Sequence, residues 1–117
     1  MSIEWIDHKG KKILYIKYGG LSPAERLEQI KQATKMIVAT NSDKNLSLSD
    51  MSDCYVDNDF IELAKEQGKI SLPLTHKAAI VGVTGVKKIL LNVVNALSPK
   101  ARKPFDSIDE AKDWLAE

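Results

Sequence analysis

The chain has 117 residues, room for one domain spanning residues 1–117 and too few for two separate cores. Its 17 basic and 16 acidic side chains nearly cancel, which argues against a protein whose main work is capturing nucleic acid phosphates. Cys54 is the single cysteine, so an intrachain disulfide is excluded and a cysteine-built metal site has too few ligands. Hydrophobic residues at 44% suffice for a packed interior, and no apolar run approaches the ~20 residues that span a bilayer. Residues 1–7 lack the basic start and apolar stretch of a secretory signal. With the lone thiol, these features lead us to expect a soluble protein of the cytoplasm.

The first eighteen residues predict a hairpin: Ile3 to His8, a turn at Lys9-Gly10, then Lys12 to Tyr18. Ile13, Leu14, Tyr15 and Ile16 are apolar on both alternating sets, as in a strand covered on two faces. The first strand, with Glu4, Asp7 and His8, reads as an edge. Ser22-Pro23-Ala24-Glu25 carries a capping box and opens a helix whose stripe is Leu27, Ile30, Ala33/Thr34, Ile37 and Val38. Asn41-Ser42-Asp43 ends it.

Leu46 to Asp50 alternates at period two and predicts a third strand. Asp57 or Asn58 can cap a second helix carrying Phe60, Ile61, Leu63 and Ala64, with Gly68 as its end point. Ala78 to Val83 is a continuous apolar run, expected of a central parallel strand. Thr84-Gly85 opens a third helix with Val86, Ile89, Leu90, Val93, Val94 and Leu97 on its apolar side. A short extended piece at Lys103-Pro104-Phe105 precedes a second Ser-x-x-Glu box at Ser107. The helix it opens buries Ile108, Ala111, Trp114 and Leu115.

The expected class is therefore α/β: an N-terminal hairpin followed by βαβαβα, in a mostly parallel mixed sheet flanked by helices. Ligands of such sheets sit outside the carboxyl ends of the strands, which selects residues 50–58 and 82–88.

Three stretches carry a resemblance: Glu4-Trp5-Ile6-Asp7-His8-Lys9-Gly10 with the strand after it, the third strand ending in Asp50-Met51-Ser52, and Ala79 to Lys88 with its Gly82-Val83-Thr84-Gly85 turn. Lys103-Pro104-Phe105-Asp106 and the Trp114-Leu115 ending fit the same pattern. Together they resemble the small stand-alone SpoIIAA-like proteins of the STAS family, which are related to CRAL-TRIO lipid-binding domains. The resemblance covers nearly the whole chain and implies a STAS-like fold, a bacterial source and a regulatory binding role. In the best-known STAS proteins a serine at a helix start after the third strand is phosphorylated, within an Asp-Ser-Ser/Thr-Gly pattern. This chain has Asp50-Met51-Ser52-Asp53 instead, so Ser52 is the nearest candidate for phosphorylation.

The candidate partner or ligand surface comprises Asp50, Ser52, Asp53, Tyr55, Asn58, Thr84, Gly85, Lys87 and Lys88. A phosphate on Ser52 would add about −1.5 to −2 charge beside Asp50 and Asp53, whereas an unmodified Ser/Asp turn bonds its own backbone and is the default. The acidic cluster Asp50, Asp53, Asp57 and Asp59 lacks the spacing and glycine of a calcium loop, so no metal is expected. Thr84-Gly85 with Lys87 and Lys88 could receive an anion at a helix start, but a capping threonine with two solvated lysines is the default reading. The greasy third helix reads first as core, then as a homodimer face, then as a membrane-surface contact.

His8 and His76 stand in no ligand or catalytic pattern, and Cys54 has no base beside it. The expectation is a non-catalytic module without cofactor, acting on a protein partner through the loops after the third and fourth strands. The alternative is a carrier of a small apolar molecule or lipid, held between sheet and helices. A tightly packed interior without a cavity would count against the carrier.

Overall fold

A computed structural model describes residues 2–85, 88, 91, 92, 95, 96 and 102–117. Strands β1 (Ile3–His8) and β2 (Lys11–Lys17) pair antiparallel across Lys9 and Gly10. Both turn residues take positive φ, 51° and 80°, the mirror-image turn whose twist matches that of the strands it joins. Helix α1 (Pro23–Ala39) follows, then β3 (Asn45–Asp50), α2 (Asn58–Ser71) and a 3-10 turn at Leu72–Leu74. Next come β4 (Thr75–Val81), β5 (Lys103–Phe105) and α3 (Ile108–Ala116). The expected third helix lies largely outside the described residues, although Lys88, Leu91, Asn92 and Asn95 have helical backbone.

The sheet runs β1-β2-β3-β4-β5 in sequence order, antiparallel at the hairpin and parallel thereafter. Right-handed crossovers between parallel strands added in one direction must all pass over the same face. Helices α1 and α2 accordingly share one face, where Ile30, Ile37 and Phe60 meet Leu14, Ile16 and Ile80. The other face is left to α3, whose Ala111 and Leu115 cover Ile13, Leu46, Leu48, Ala79 and Val81. The extended piece at Lys103–Phe105 pairs with β4 and becomes the second edge of the sheet, opposite β1.

Both legs of the Ser22 capping box form: Glu25 N donates to Ser22 Oγ at 3.2 Å, and Ser22 N donates to Glu25 Oε1 at 2.8 Å. At α3 the Ser107 hydroxyl accepts from Glu110 N at 3.2 Å. Asp57, not Asn58, caps α2, its Oδ1 accepting from Phe60 N at 2.9 Å.

Two expectations need correction. Val38 is not part of the α1 stripe; it is 45% exposed, because the buried face follows Arg26, Ile30, Thr34 and Ile37. Helix α2 does not end at Gly68 but continues to Ser71, with Gly68 on its buried face. Pro73, lacking an N–H, then replaces the α-helix with the 3-10 turn.

The buried polar groups of α1 hold its entry loop. Arg26 Nη1 donates to Leu21 O at 2.9 Å, and Gln29 Nε2 donates to Lys17 O at 3.1 Å. On the opposite face His8 and Lys9 both bond Asp113 Oδ1, at 2.9 and 3.0 Å, tying the hairpin turn to α3.

Candidate functional site

The central strand β3 is buried at all six positions. Its alternation puts Leu46 and Leu48 against α3, and Ser47 and Ser49 beneath α1 and α2. Polar side chains under two helices leave a gap: a cavity of about 70 Å³ lies between the sheet and the helices. Ile30, Ala33 and Ile37 of α1 form one wall, and Phe60, Ala64 and Gly68 of α2 form another. Ile16, Ser47, Ser49 and Ile80 make the floor, and Leu91 and Arg102 contribute from the segment after β4.

Eight polar residues line this space: Thr34 and Thr75 donate to the carbonyls of Ile30 and Ser71, Gln67 and Ser71 stand on α2, and four others remain. Ser47 and Ser49 are 6% and 5% exposed and Tyr18 is 6% exposed. Their hydroxyls are not enclosed orphans, since Arg26 Nε is the buried side-chain polar atom without a partner among the described residues; they belong to residues that line the hollow. Tyr18 is held by its ring, edge-on to Phe60 with centroids 5.4 Å apart. Burial pushes the Tyr18 phenol well above its ordinary range, so it stands as a neutral donor, and the Arg102 charge offsets this only in part.

Arg102 is the fourth group. Its backbone is clasped by Asn95: Arg102 N donates to Asn95 Oδ1 at 2.7 Å, and Asn95 Nδ2 donates to Arg102 O at 3.4 Å. Burial pushes the guanidinium below its ordinary value, and no carboxylate among the described residues pairs with it. Three hydroxyls and one half-buried cation around an apolar hollow are equipped to receive a small molecule with one polar end.

The residues singled out in the sequence lie elsewhere. Asp50 is buried and committed: its Oδ2 accepts from Tyr15 Oη at 3.0 Å, and its Oδ1 from Ser52 N at 3.0 Å. Ser52 is exposed and packs on two glycines; a Cβ at Gly82 would stand 2.5 Å from Ser52 N, and one at Gly19 would stand 2.4 Å from Ser52 O. The loops after β3 and β4 thus meet at Ser52 and Gly82. Asp53 takes a positive φ of 56°, and Tyr55 is 69% exposed, with the Arg26 guanidinium 6.0 Å from its ring centroid. Asn58, Thr84, Gly85 and Lys88 are exposed, and Lys87 lies outside the described residues. None of these described residues lines the cavity, which touches their surface only through Met51.

Among the described residues no group of three His, Cys, Asp or Glu side chains could hold a metal ion, and no helix is long and apolar enough to cross a membrane. Sequence reading passed over Tyr18, Ser47, Ser49 and Arg102. The available signal was a pair of serines on a strand that both neighbours cover.

A solved structure matches the fold along almost its full length. It is an uncharacterised protein of the DUF3478 family from Shewanella loihica, with a SpoIIAA-like fold; the TM-score is 0.65 at 22% identity, covering 97% of this chain and 91% of that one. The chain has a SpoIIAA-like fold. The resemblance read from the opening hairpin, the Asp50-Met51-Ser52 strand end and the Gly82–Gly85 turn is thereby matched at the level of architecture. No protein-family model matches the chain, and no curated protein matches it. At this identity the likeness speaks for the fold, and the SpoIIAA-like architecture leaves function to the site.

Proposed function

We propose that this SpoIIAA-like protein is a non-catalytic STAS-type module that binds a small amphipathic molecule between its sheet and helices α1 and α2. The observation that carries the reading is the mostly apolar cavity between sheet and helices, lined also by Tyr18, Ser47, Ser49 and Arg102. An apolar hollow with a few polar groups at its wall suits a small molecule with one polar end.

Size limits the ligand. A cavity of about 70 Å³ is smaller than the roughly 150 Å³ hollow that admits benzene in a well-packed protein. A compact molecule is therefore favoured over a full lipid chain, which would require α1 and α2 to part. A cytoplasmic setting belongs to the same reading, in keeping with the buried Cys54 thiol.

Native mass spectrometry of protein isolated gently from its host, followed by the denatured mass, tests this reading. A small molecule that leaves on denaturation supports it. A bare mass, with no thermal stabilisation by small amphipathic probes, overturns it.

A second reading, a protein-docking surface at the carboxyl ends of β3 and β4, is favoured by Tyr55, a large aromatic left exposed beside Ser52. Tyrosines of this kind often dominate interface energetics. Here Tyr55→Ala would weaken capture of a partner, and Ser52→Asp would switch it if phosphorylation is the control. Unchanged capture by both variants would remove this reading.

A further inference from the structure

We infer that the cavity ligand is a small monocarboxylate, an apolar body ending in one negative charge, and that Arg102 is the residue selecting that charge. The inference rests on the binding reading above and goes further by naming the ligand's chemistry.

Three observations carry it. First, Arg102 lines an apolar cavity and no carboxylate among the described residues pairs with it. Arg102 is half-buried, and the part of it that lines the apolar hollow would gain from an anionic partner placed there, where the local polarity is low. Second, the counter-charge is missing from the sequence around it: residues 82–105 contain Lys87, Lys88, Lys100, Arg102 and Lys103 and no aspartate or glutamate. Third, the Asn95 clasp on both the N–H and the carbonyl of Arg102 fixes the backbone from which the side chain reaches the cavity.

The neighbouring groups fit the same chemistry. Ser47, Ser49 and Tyr18 can each donate a hydrogen bond to an oxyanion, and the burial-raised phenol keeps its proton to do so. One guanidinium balances one charge, which favours a carboxylate over a doubly charged phosphate ester. The limited volume points the same way, since a planar carboxylate leaves more of the hollow for the apolar part.

The test is calorimetric titration of the full chain with propionate and, separately, with propan-1-ol, which has the same carbon count and no charge. Propionate is expected to bind more tightly than propanol. Arg102→Gln is expected to weaken propionate about 10- to 100-fold and leave propanol nearly unchanged, as expected for loss of a charge-assisted contact. Arg102→Lys, which keeps the charge but not the planar fork, should retain part of the affinity and guards against a variant that merely unfolds. Equal binding of propionate and propanol, insensitive to Arg102→Gln, would overturn the assignment of Arg102 while leaving the binding cavity standing. No binding of either probe would overturn both.

Discussion

Ser52 is held on two sides by residues that have no side chain. Gly82 sits at φ +82°, and a Cβ there would lie 2.5 Å from Ser52 N and 2.7 Å from its hydroxyl. Gly82→Ala therefore adds a steric clash to the strain of a left-handed alanine. Gly10 has nearly the same φ, +80°, with nothing within 4 Å of its Cβ position. The backbone strain alone is about 1 kcal/mol, so Gly10→Ala should show roughly that loss. For Gly82→Ala we expect a loss of about 2–4 kcal/mol in urea unfolding, because the Ser52 loop must also shift. Equal losses at the two glycines would mean that the Ser52 loop yields freely. The pairing of these loops was half legible: the turn residues were visible, but that Gly82 abuts Ser52 is a tertiary fact with no local signature. The serines of β3 were missed for another reason. Leu46-Ser47-Leu48-Ser49 alternates as a half-exposed strand does, and only the paired strands on both sides, with helices above, bury the serine set.

At the scale of elements, β2 and β3 are joined by more than their backbone ladder. Tyr15 Oη donates to Asp50 Oδ2 at 3.0 Å on the face toward α3. Burial, helped by that hydrogen bond and the Asp50 charge, pushes the Tyr15 phenol from 10.0 up to about 12. A raised pKa in the folded state means that folded protein keeps the proton over a range where the unfolded chain has lost it. The stabilisation is thus fully present below pH 10 and is lost as pH rises toward about 12. Unfolding midpoints in urea should fall between pH 9 and pH 11, and the fall should be shallower in Tyr15→Phe. Parallel falls in the two proteins would show that other groups carry the alkaline sensitivity. Tyr18 shifts in the same direction and leaves a residual slope in the variant. Helix and strand identities were well marked by capping residues and periodicity, as Ser22, Asp57 and Ser107 illustrate. The end of α2 was not, because Gly68 is a local stop signal that burial on the helix's inner face overrides.

For the molecule as a whole, the position of the cavity follows from topology. Sequential parallel strands send every crossover over one face, so α1, α2 and the residues around Leu91 crowd one side of the sheet while α3 covers the other. The cavity lies on the crowded side, where two serines on the floor replace the apolar side chains that would otherwise fill it. Such a gap could be an accident of packing or a place kept open for a ligand, and filling it distinguishes the two. Ala64 lines the cavity from the middle of α2, and Ala64→Leu adds three carbons without lowering helix propensity appreciably. If the larger side chain fits the hollow, stability without ligand should rise by about 1–2 kcal/mol, from new apolar burial and contacts where there was none. A ligand at 100 times its dissociation constant stabilises wild type by about 2.7 kcal/mol, and that increment should vanish in the filled variant. Thermal melts of both proteins, with and without propionate, measure the two effects together. A variant that gains stability and still responds fully to propionate would place the binding site outside the cavity. A variant that gains stability and loses the response would show that the protein leaves this space unfilled at a cost to its own stability, as natural proteins commonly do where function requires it.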